Sequence, residues 1–488
     1  MRLPTLLALA FCLVVAASSA QSIRADEMRH DLDFLQHALY ECHPGAFRFS
    51  PKASLDSLFD SLRGQIPPDS ISLRAAQRMV RQAVAAVRDG HTAVLTPYYD
   101  NNTRILPLLA VWAQDSLYIE HNYSADTTLL RGSALLSANG MRIDELIRQS
   151  RMLNPGDGFS PTFGHEVVAA TFARLPYLLQ GDTSRYDLHV ISPRGITSQH
   201  SIPAITRKEL QTLQQTRLRE ARRQSSAPRQ APVMFTRSMA LRRDTAMPGL
   251  LILKLNSFPR KHYRRFYREV FTWLDQHPPQ ALVIDVRNNT GGNIRNMDRL
   301  LSYIVPERFS YDYLRHRHAP TTRYFKGWQK LTLFSIWMRY NLWPGFRYRR
   351  EGEQRVQHWQ VKPRKRHRYT GQTFVLTNGW SFSSASMCAS FLKNRAGATV
   401  VGRETGGGEW GNCGGGYPKL ALPHSKIKVR FPLFLLRYDI GKSETSRGVM
   451  PDVATPYSVG DILSGRDLGM EAVRRMVREK PKEKPTHE

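Results

Sequence analysis

The chain has 488 residues, too many for one hydrophobic core, and this length predicts roughly two to four domains. Lys and Arg number 70 against 41 Asp and Glu, a formal net charge of +29, and a hydrophobic content of 41% suffices for ordinary globular cores. A charge of this size suits nucleic acid, an anionic membrane surface or acidic substrates. No zinc-finger, RRM or basic-zipper pattern is present, so we expect no nucleic-acid partner. Contact of a basic face with an anionic surface stays open beside the simpler explanation of a solvated basic surface.

Residues 1–20 have the pattern of a cleaved signal peptide. Arg2 provides a positive start, Leu6–Ala17 is apolar, and Ser18-Ser19-Ala20 before Gln21 fits a small-residue cleavage site. A membrane anchor is the competing interpretation, but the apolar run is too short to span a bilayer comfortably. We therefore expect an exported protein, periplasmic or extracellular.

Three cysteines follow the signal peptide: Cys42, Cys388 and Cys413. An odd number leaves at least one free thiol unless chains cross-link, and export permits a disulfide without selecting the pair. None has metal-site spacing with histidine, and we predict no metal and no cofactor.

Residues 21–100 predict a helical region. Leu55–Leu62 and Leu73–Val87 have the apolar spacing of amphipathic helices, with Ser72 opening the second. Gly90 suits the C-cap of that helix. His91 then lies at the junction with an extended segment, where a histidine stabilised by the helix dipole is the simplest interpretation.

Residues 101–205 predict a small β-rich domain. The runs with strand character are Leu108–Trp112, Ser116–Glu120, Ala134–Ala138 and Tyr186–Ile191. Asn139-Gly140 predicts a hairpin turn, and Ile143–Ile147 starts a short helix. The pattern resembles a PDZ-like module that binds a peptide by strand addition, with a generic β-domain as the alternative. Residues 206–247, basic and rich in Gln and Arg, predict a linker with one helix.

An α/β core is predicted over residues 248–458. Strands at Gly249–Asn256 and Ala281–Val286 alternate with helical patterns, which favours a parallel sheet. The loop Arg287–Asn293 contains paired glycines whose amides suit an oxyanion hole. A phosphate-binding loop is the alternative, but the lysine and spacing of a P-loop are absent. A basic, aromatic insertion occupies 307–367, and 459–488 predicts a helix and a charged tail.

The stretch from Thr373 predicts a strand, a sharp turn and a helix. Thr373–Leu376 is apolar, Asn378-Gly379 forms the turn, and small residues follow from Ser381. A serine at such a helix N-terminus suits a nucleophile, because the free amide groups there favour developing negative charge. Serine is also a common helix cap, and this alternative stays open for Ser381, Ser383 and Ser384.

Three stretches together resemble the S41 family of serine peptidases, which includes the carboxy-terminal processing proteases and the tricorn protease. They are Leu282–Gly292, Val375–Ala389 with Thr399–Gly407, and Gly448–Val453. The resemblance covers Gly249–Val453 and implies a ClpP/crotonase-like α/β core in a multi-domain α/β protein. In the processing-protease branch the serine is paired with a lysine, but Gly408 lies where that lysine would align, and Ser386 replaces a glutamate.

The sequence therefore looks closer to the tricorn-like Ser–His branch. This resemblance implies Ser383 as nucleophile and His91, in Asp89-Gly-His-Thr92, as base. Glu444 is the candidate for the orienting carboxylate, and a surface glutamate is the alternative. The oxyanion would be held by the amides of Gly292 and Ser384.

The predicted function is hydrolysis of peptides or unfolded proteins through an acyl-enzyme. Three alternatives remain. The first is a catalytically inactive relative that binds peptides. The second is a Ser–Lys enzyme that recruits Lys393 or Lys419, neither of which aligns. The third is a surface-binding protein whose insertion at 307–367 is the functional part.

Overall fold

The computed structural model describes residues 22–224, 231–316, 321–325, 330, 331, 334, 338, 348–352, 354–442 and 444–479. The predicted signal peptide and part of the predicted insertion lie outside these residues. Within them, no helix combines the length and apolar character needed to cross a membrane. The described residues form a mixed α/β structure of several units.

Helices and strands alternate along the described chain. The helices are α1 (Ala25–Cys42), α2 (Lys52–Gly64), α3 (Leu73–Ala86), α4 (Ile143–Leu153), α5 (Pro161–Thr171), α6 (Leu175–Gln180), α7 (Arg207–Gln224), α8 (Tyr263–Gln276), α9 (Ile294–Leu301), α10 (Thr321–Tyr324), α11 (Ser384–Ala396), α12 (Val459–Ser464) and α13 (Leu468–Glu479). The strands of the first half are β1 (Ser22–Arg24), β2 (Ser70–Ser72), β3 (Ala93–Val94), β4 (Arg104–Ile105), β5 (Leu108–Ala113), β6 (Ser116–Asn122), β7 (Ala134–Ala138), β8 (Met141–Arg142), β9 (Arg185–Ile191), β10 (Thr197–Pro203), β11 (Ile205–Thr206), β12 (Met234–Phe235) and β13 (Met239–Arg243). Those of the second half are β14 (Leu250–Leu255), β15 (Ala281–Asp285), β16 (Phe309–His316), β17 (Tyr348–Glu351), β18 (Gln354–Val361), β19 (Thr373–Thr377), β20 (Thr399–Gly402), β21 (Gly411–Cys413), β22 (Lys419–Ala421), β23 (Lys428–Arg430), β24 (Leu435–Tyr438) and β25 (Val453–Ala454).

The N-terminal region is helical, as predicted. The Ser72 hydroxyl accepts the amide of Ala75 and caps α3, and the buried face of α3 joins the main hydrophobic core. The prediction of Gly90 as its C-cap is wrong. The helix ends at Ala86, and Arg88 is the residue with positive φ (57°), so the chain turns before it reaches Gly90.

A sheet with the order β10–β9–β7–β6–β5 forms the β-rich unit between residues 101 and 205. All its neighbouring strands are antiparallel, and β8 pairs with β7 across the predicted Asn139-Gly140 turn. Both turn residues have positive φ, 47° and 75°, the combination that two-residue hairpins favour. This unit has its own buried apolar core, which α4, α5 and α6 help to form.

The central sheet has seven strands in the order β12–β13–β14–β15–β19–β20–β25. The strands from β14 to β25 are parallel, whereas β12 and β13 add an antiparallel edge. Alternate residues of β15 enter different cores: Leu282 and Ile284 pack in the main core, and Ala281 and Val283 pack against α13. Burial on both faces explains the continuous apolar runs in the sequence.

Residues 206–247 differ from the predicted linker. Helix α7 covers the basic stretch, but β12 and β13 belong to the central sheet, with Met239 paired to Leu255. The arginines Arg242 and Arg243 concealed this strand, because their side chains are exposed while Met239 and Leu241 are buried.

A second, antiparallel sheet has the order β17–β18–β16–β24–β21 and contains the described strands of the insertion. A third sheet, β22–β23–β3, joins the N-terminal region to the core because Ala93 pairs with Arg430. This pairing is what brings His91 toward the carboxyl edge of the central sheet. Cys42, Cys388 and Cys413 are free, buried thiols.

Candidate active site

Ser383 lies at the tight turn between β19 and α11. Its backbone is at φ 56° and ψ −125°, a region that non-glycine residues rarely occupy and that costs on the order of 1–3 kcal/mol. It stands at the N-cap position of α11, but its hydroxyl makes no capping hydrogen bond. Strain at one serine, with the hydroxyl left unused by the helix, is the geometry of a nucleophile elbow.

The neighbouring serines hold the turn. The hydroxyl of Ser381 donates to the carbonyl of Val286 at 2.8 Å, and that of Ser384 donates to the carbonyl of Gly292 at 3.1 Å. The hydroxyl of Ser386 donates to the carbonyl of Ser383 at 2.8 Å. All three hydroxyls are therefore engaged in fixing the elbow and the adjacent loop, which separates their role from that of Ser383.

The loop after β15 lies against the elbow. Asn289 anchors it: its side chain donates to Leu255 and accepts the amide of Gly291. At Gly291, with φ of 100°, a Cβ would come within 2.7 Å of the Cβ of Ser383. Only glycine permits both this conformation and this approach.

The two predicted oxyanion donors are adjacent in space and available. No hydrogen bond is described for the amides of Gly292 or Ser384, and Ser384 is the first residue of α11, whose amide has no acceptor within its helix. The bond between the Ser384 hydroxyl and the Gly292 carbonyl keeps the two segments together. The helix N-terminus adds a partial positive charge at the same place.

His91 is a buried neighbour of the elbow. Its ring lies 4.6 Å, centroid to centroid, from that of Phe382 and is stacked on Tyr417 at 6.1 Å. Its carbonyl accepts Nε of Arg430 at 3.3 Å, next to the β3–β23 pairing. Among the residues that the structure covers, neither Nδ1 nor Nε2 of His91 has a hydrogen-bond partner. One ring nitrogen is thus available to accept a proton.

Asp89 is the carboxylate next to His91. Its Oδ1 is 3.5 Å from Nδ1 of His91, and its Oδ2 is 2.9 Å from Nε2 of His43. Nδ1 of His43 accepts the amide of Gly45, so Nε2 carries the proton and donates. The Thr92 hydroxyl also donates to Asp89. Burial alone would raise the pKa of Asp89, but the hydrogen bond from His43 and the nearby His91 ring hold it well below its usual range.

Asp157 is a second buried carboxylate beside His91. It accepts the amides of Gly90 at 2.8 Å and Gly408 at 3.4 Å. Burial raises the pKa of Asp157 to about 6. It comes from the loop between α4 and α5, so the β-rich unit reaches the site through this residue. Nothing in the sequence analysis singled out His43 or Asp157.

Glu444 lies in a different environment from the one predicted for an orienting carboxylate. Its side chain is 42% exposed and accepts Nε of Arg48 at 2.5 Å. Arg48 also donates to the carbonyl of Gly411. The carboxylates that the structure places beside His91 are Asp89 and Asp157. A role for Glu444 stays a prediction, and the structure supplies Asp89 as its competitor.

One cavity of about 1020 Å³ contains Ser383, His91 and Gly292 in its lining. Its walls are aromatic and basic, with Phe163, Trp380 and Tyr417 among the aromatic side chains. The residues that the sequence places 292 positions apart, Ser383 and His91, are therefore brought into one space.

Comparison with known proteins identifies this part of the chain. Residues 249–455, which contain the elbow and the loop with Gly291 and Gly292, match the model of Peptidase family S41. This match assigns residues 249–455 to an S41 peptidase domain. The predicted resemblance to S41 serine peptidases is confirmed, and with it the class of serine-type peptidase at the level of the family. No curated protein matches the chain.

Solved structures show the same fold over nearly the whole chain. Mature CPAF is 15% identical, with a TM-score of 0.62, and the match covers 93% of this chain and 97% of CPAF. Its complex with lactacystin gives the same identity and TM-score and covers 93% and 98%. A CPAF mutant matches with a TM-score of 0.63 at 15% identity over 94% and 99%. Identity this low establishes a shared fold, and the chemistry of this chain is argued from its own residues.

Proposed function

We propose that this S41 protein is an exported serine peptidase that hydrolyses peptides or unfolded polypeptides through an acyl-enzyme. One observation carries the proposal. A strained serine at a strand-to-helix elbow keeps its hydroxyl free and lines the same cavity as a buried histidine with a free Nε2.

Acylation begins with Ser383. Its Oγ bonds to the scissile carbonyl carbon while Nε2 of His91 takes the hydroxyl proton. The C–N bond then breaks, and His91 transfers the proton to the leaving amine. In the second half, His91 takes a proton from water, whose oxygen attacks the acyl-serine ester. The carboxyl-terminated fragment leaves, and the proton returns to Ser383.

The negative oxygen of both tetrahedral intermediates would accept hydrogen bonds from the amides of Gly292 and Ser384. Removing one such donor in comparable sites costs about 3 kcal/mol. The charged imidazolium that forms in each step would be stabilised by Asp89, which lies 3.5 Å from Nδ1. These parts support acyl transfer without any further group.

The proposal includes the fold family of the core, the type of the β-rich unit, and export of the protein. The central sheet with its helices is interpreted as a ClpP/crotonase-like core, and the β-rich unit as a PDZ-like module that binds a substrate strand at a sheet edge. Export rests on the sequence of residues 1–20. Amino-terminal sequencing of the mature protein tests it, with Gln21 as the expected first residue.

The deciding experiment uses residues 21–488 and a casein-like unfolded substrate. Wild type, Ser383→Ala and His91→Ala are compared, with His37→Ala, an exposed histidine, as the matched control. We expect hydrolysis by wild type and the control, and near-complete loss in the two site variants. A Ser383→Ala protein as active as wild type would refute the nucleophile assignment.

An inactive peptide-binding relative is the second candidate. It is favoured by one observation: no described hydrogen bond joins Ser383 to His91, although such bonds are often formed only when substrate is bound. An organophosphonate probe separates the two. Labelling of wild type that disappears in both Ser383→Ala and His91→Ala supports the peptidase, and an unlabelled wild type that still binds peptides supports the relative.

A further inference from the structure

A second cavity, of about 940 Å³, adjoins the active-site cavity. The two share Arg295 and Trp359 in their linings. The other basic residues that line the second cavity are Arg264, Arg299, Lys362, Arg364, Lys365 and Arg366. We call this cavity the basic groove.

No described ion pair neutralises the positive charge of the basic groove. Asp298 is the one acidic residue in its described lining. That carboxylate is buried and accepts hydrogen bonds from the Tyr311 hydroxyl and from Nε1 of Trp359. No ion pair is described for any of the seven basic residues, and Nε of Arg299 is buried without a hydrogen-bond partner in the described part of the chain. Seven like charges in one groove repel one another, so an anionic ligand would relieve a real electrostatic cost.

The active-site cavity is also lined by basic residues. Arg260 and Arg430 line it together with Arg295, and no Asp or Glu is among its described lining residues. A polypeptide that places its scissile bond at Ser383 can therefore extend past Trp359 into the basic groove. An extended chain advances about 3.3–3.6 Å per residue, so a short segment next to the scissile bond bridges neighbouring cavities.

We propose that the basic groove is an exosite that binds an acidic segment of the polypeptide substrate. The inference rests on the proposed peptidase function and names its substrate class: unfolded chains with Asp- or Glu-rich stretches near the scissile bond. The continuity of the groove with the catalytic cavity favours a substrate chain over a nucleic acid or a membrane. The attraction between the basic groove and an acidic segment would speed association of the substrate. This effect would weaken at high salt, because salt screens the charges.

Binding is measured first, in the Ser383→Ala background, so that the result does not depend on catalysis. The probe is a labelled peptide of about 12 residues rich in Glu, beside the same peptide with Gln at each Glu. The groove variant carries Lys362→Gln, Lys365→Gln and Arg366→Gln, three exposed residues.

The matched control removes the same charge elsewhere. It carries Arg219→Gln, Arg475→Gln and Arg478→Gln, which are exposed and lie outside the lining of both cavities. We expect the Kd of the Glu peptide to rise about tenfold in the groove variant, consistent with modest exposed ion pairs, and to stay near the starting value in the control. Thermal unfolding checks that both proteins are folded.

Hydrolysis is measured second, in the active protein, on an unfolded substrate with the Glu-rich or the Gln-substituted segment on either side of the cleaved region. We expect the groove variant to bring the ratio of kcat/KM for the two substrates close to one. An equal loss of Glu-peptide binding in the control variant, or groove-dependent binding of DNA or phosphatidylglycerol vesicles without binding of the Glu peptide, would overturn the inference. Groove-dependent peptide binding by a wild type that hydrolyses neither substrate supports the groove assignment and rejects the peptidase function.

Discussion

The identity of the carboxylate that supports His91 can be decided by two conservative substitutions. Asp89→Asn keeps the shape of the side chain but removes its charge, which lies 3.5 Å from Nδ1 of His91. Glu444→Gln makes the same chemical change in a side chain whose described partner is Arg48. Both Asp89 and Glu444 lie outside the lining of the catalytic cavity, so we expect KM to change little.

The magnitude follows from the distance. At an effective dielectric constant of about 20, two unit charges at this separation interact by roughly 5 kcal/mol. The asparagine dipole retains part of this, so we expect Asp89→Asn to raise the barrier by about 3–4 kcal/mol, or 10²–10³-fold in kcat. Glu444→Gln removes a partly exposed ion pair, so we expect it to lower the free energy of unfolding by at most about 1 kcal/mol. We expect its kcat to stay within a few-fold of wild type.

The assay is initial-rate hydrolysis of an unfolded polypeptide between about pH 5 and 9, with thermal unfolding of each variant as the check on folding. A positioning role for Asp89 requires the acid limb of the rate profile to move to lower pH, because the protonated imidazole loses its stabilising charge. A purely structural role would lower the melting temperature without moving that limb. A large loss of kcat in Glu444→Gln, with Asp89→Asn near wild type, would refute the assignment and restore Glu444.

Three further outcomes are expected. Gly291→Ala should abolish hydrolysis and destabilise the fold by about 1–3 kcal/mol, since its Cβ would meet the elbow at 2.7 Å, whereas Gly64→Ala has open space and should be neutral in both the rate and chemical denaturation. His43→Leu should lower kcat about tenfold, less than Asp89→Asn, because a buried carboxylate loses one donor; an unchanged rate would contradict this. Burial raises the pKa of Asp298 to about 7, above its unfolded value. The native state therefore binds the extra proton, and this stability, present at about pH 4, is lost as pH rises through about 7. Asp298→Asn should flatten that part of a urea-denaturation pH series, and an unaltered slope would show that Asp298 does not titrate there.

Strands buried on both faces were the most predictable part of the fold. Ala281–Val286 and Thr373–Leu376 match β15 and β19 to within one residue at each end, because a short continuous apolar run is typical of a strand that is buried on both faces. The Asn139-Gly140 turn was equally clear, since both positions need positive φ. The sheet order required the structure, because register across β14, β15 and β19 depends on contacts between distant segments.

The site residues could be predicted only where they lie in short, continuous sequence motifs of known chemistry. The serine elbow and the paired glycines lie in continuous motifs, and the structure places both at one cavity. Asp89 was visible in the same motif as His91, but its part in the site follows from a distance that sequence does not contain. Asp157 could not be predicted from the sequence, because an acidic residue between Gly156 and Gly158 is typical of an ordinary loop. Its part in the site follows from the two backbone amides that it accepts in the structure.

The proposed catalysis would require three chain regions to be joined. His91 and Asp89 come from the N-terminal region, Asp157 from the β-rich unit, and Ser383 from the core. The N-terminal region is held there by apolar side chains of α1 and α3 in the main hydrophobic core, by the β3–β23 pairing, and by the Asp157 carboxylate, which accepts amides from Gly90 on one side and from the core on the other. A core fragment without residues 21–100 therefore lacks the proposed base, however well its own sheet is formed.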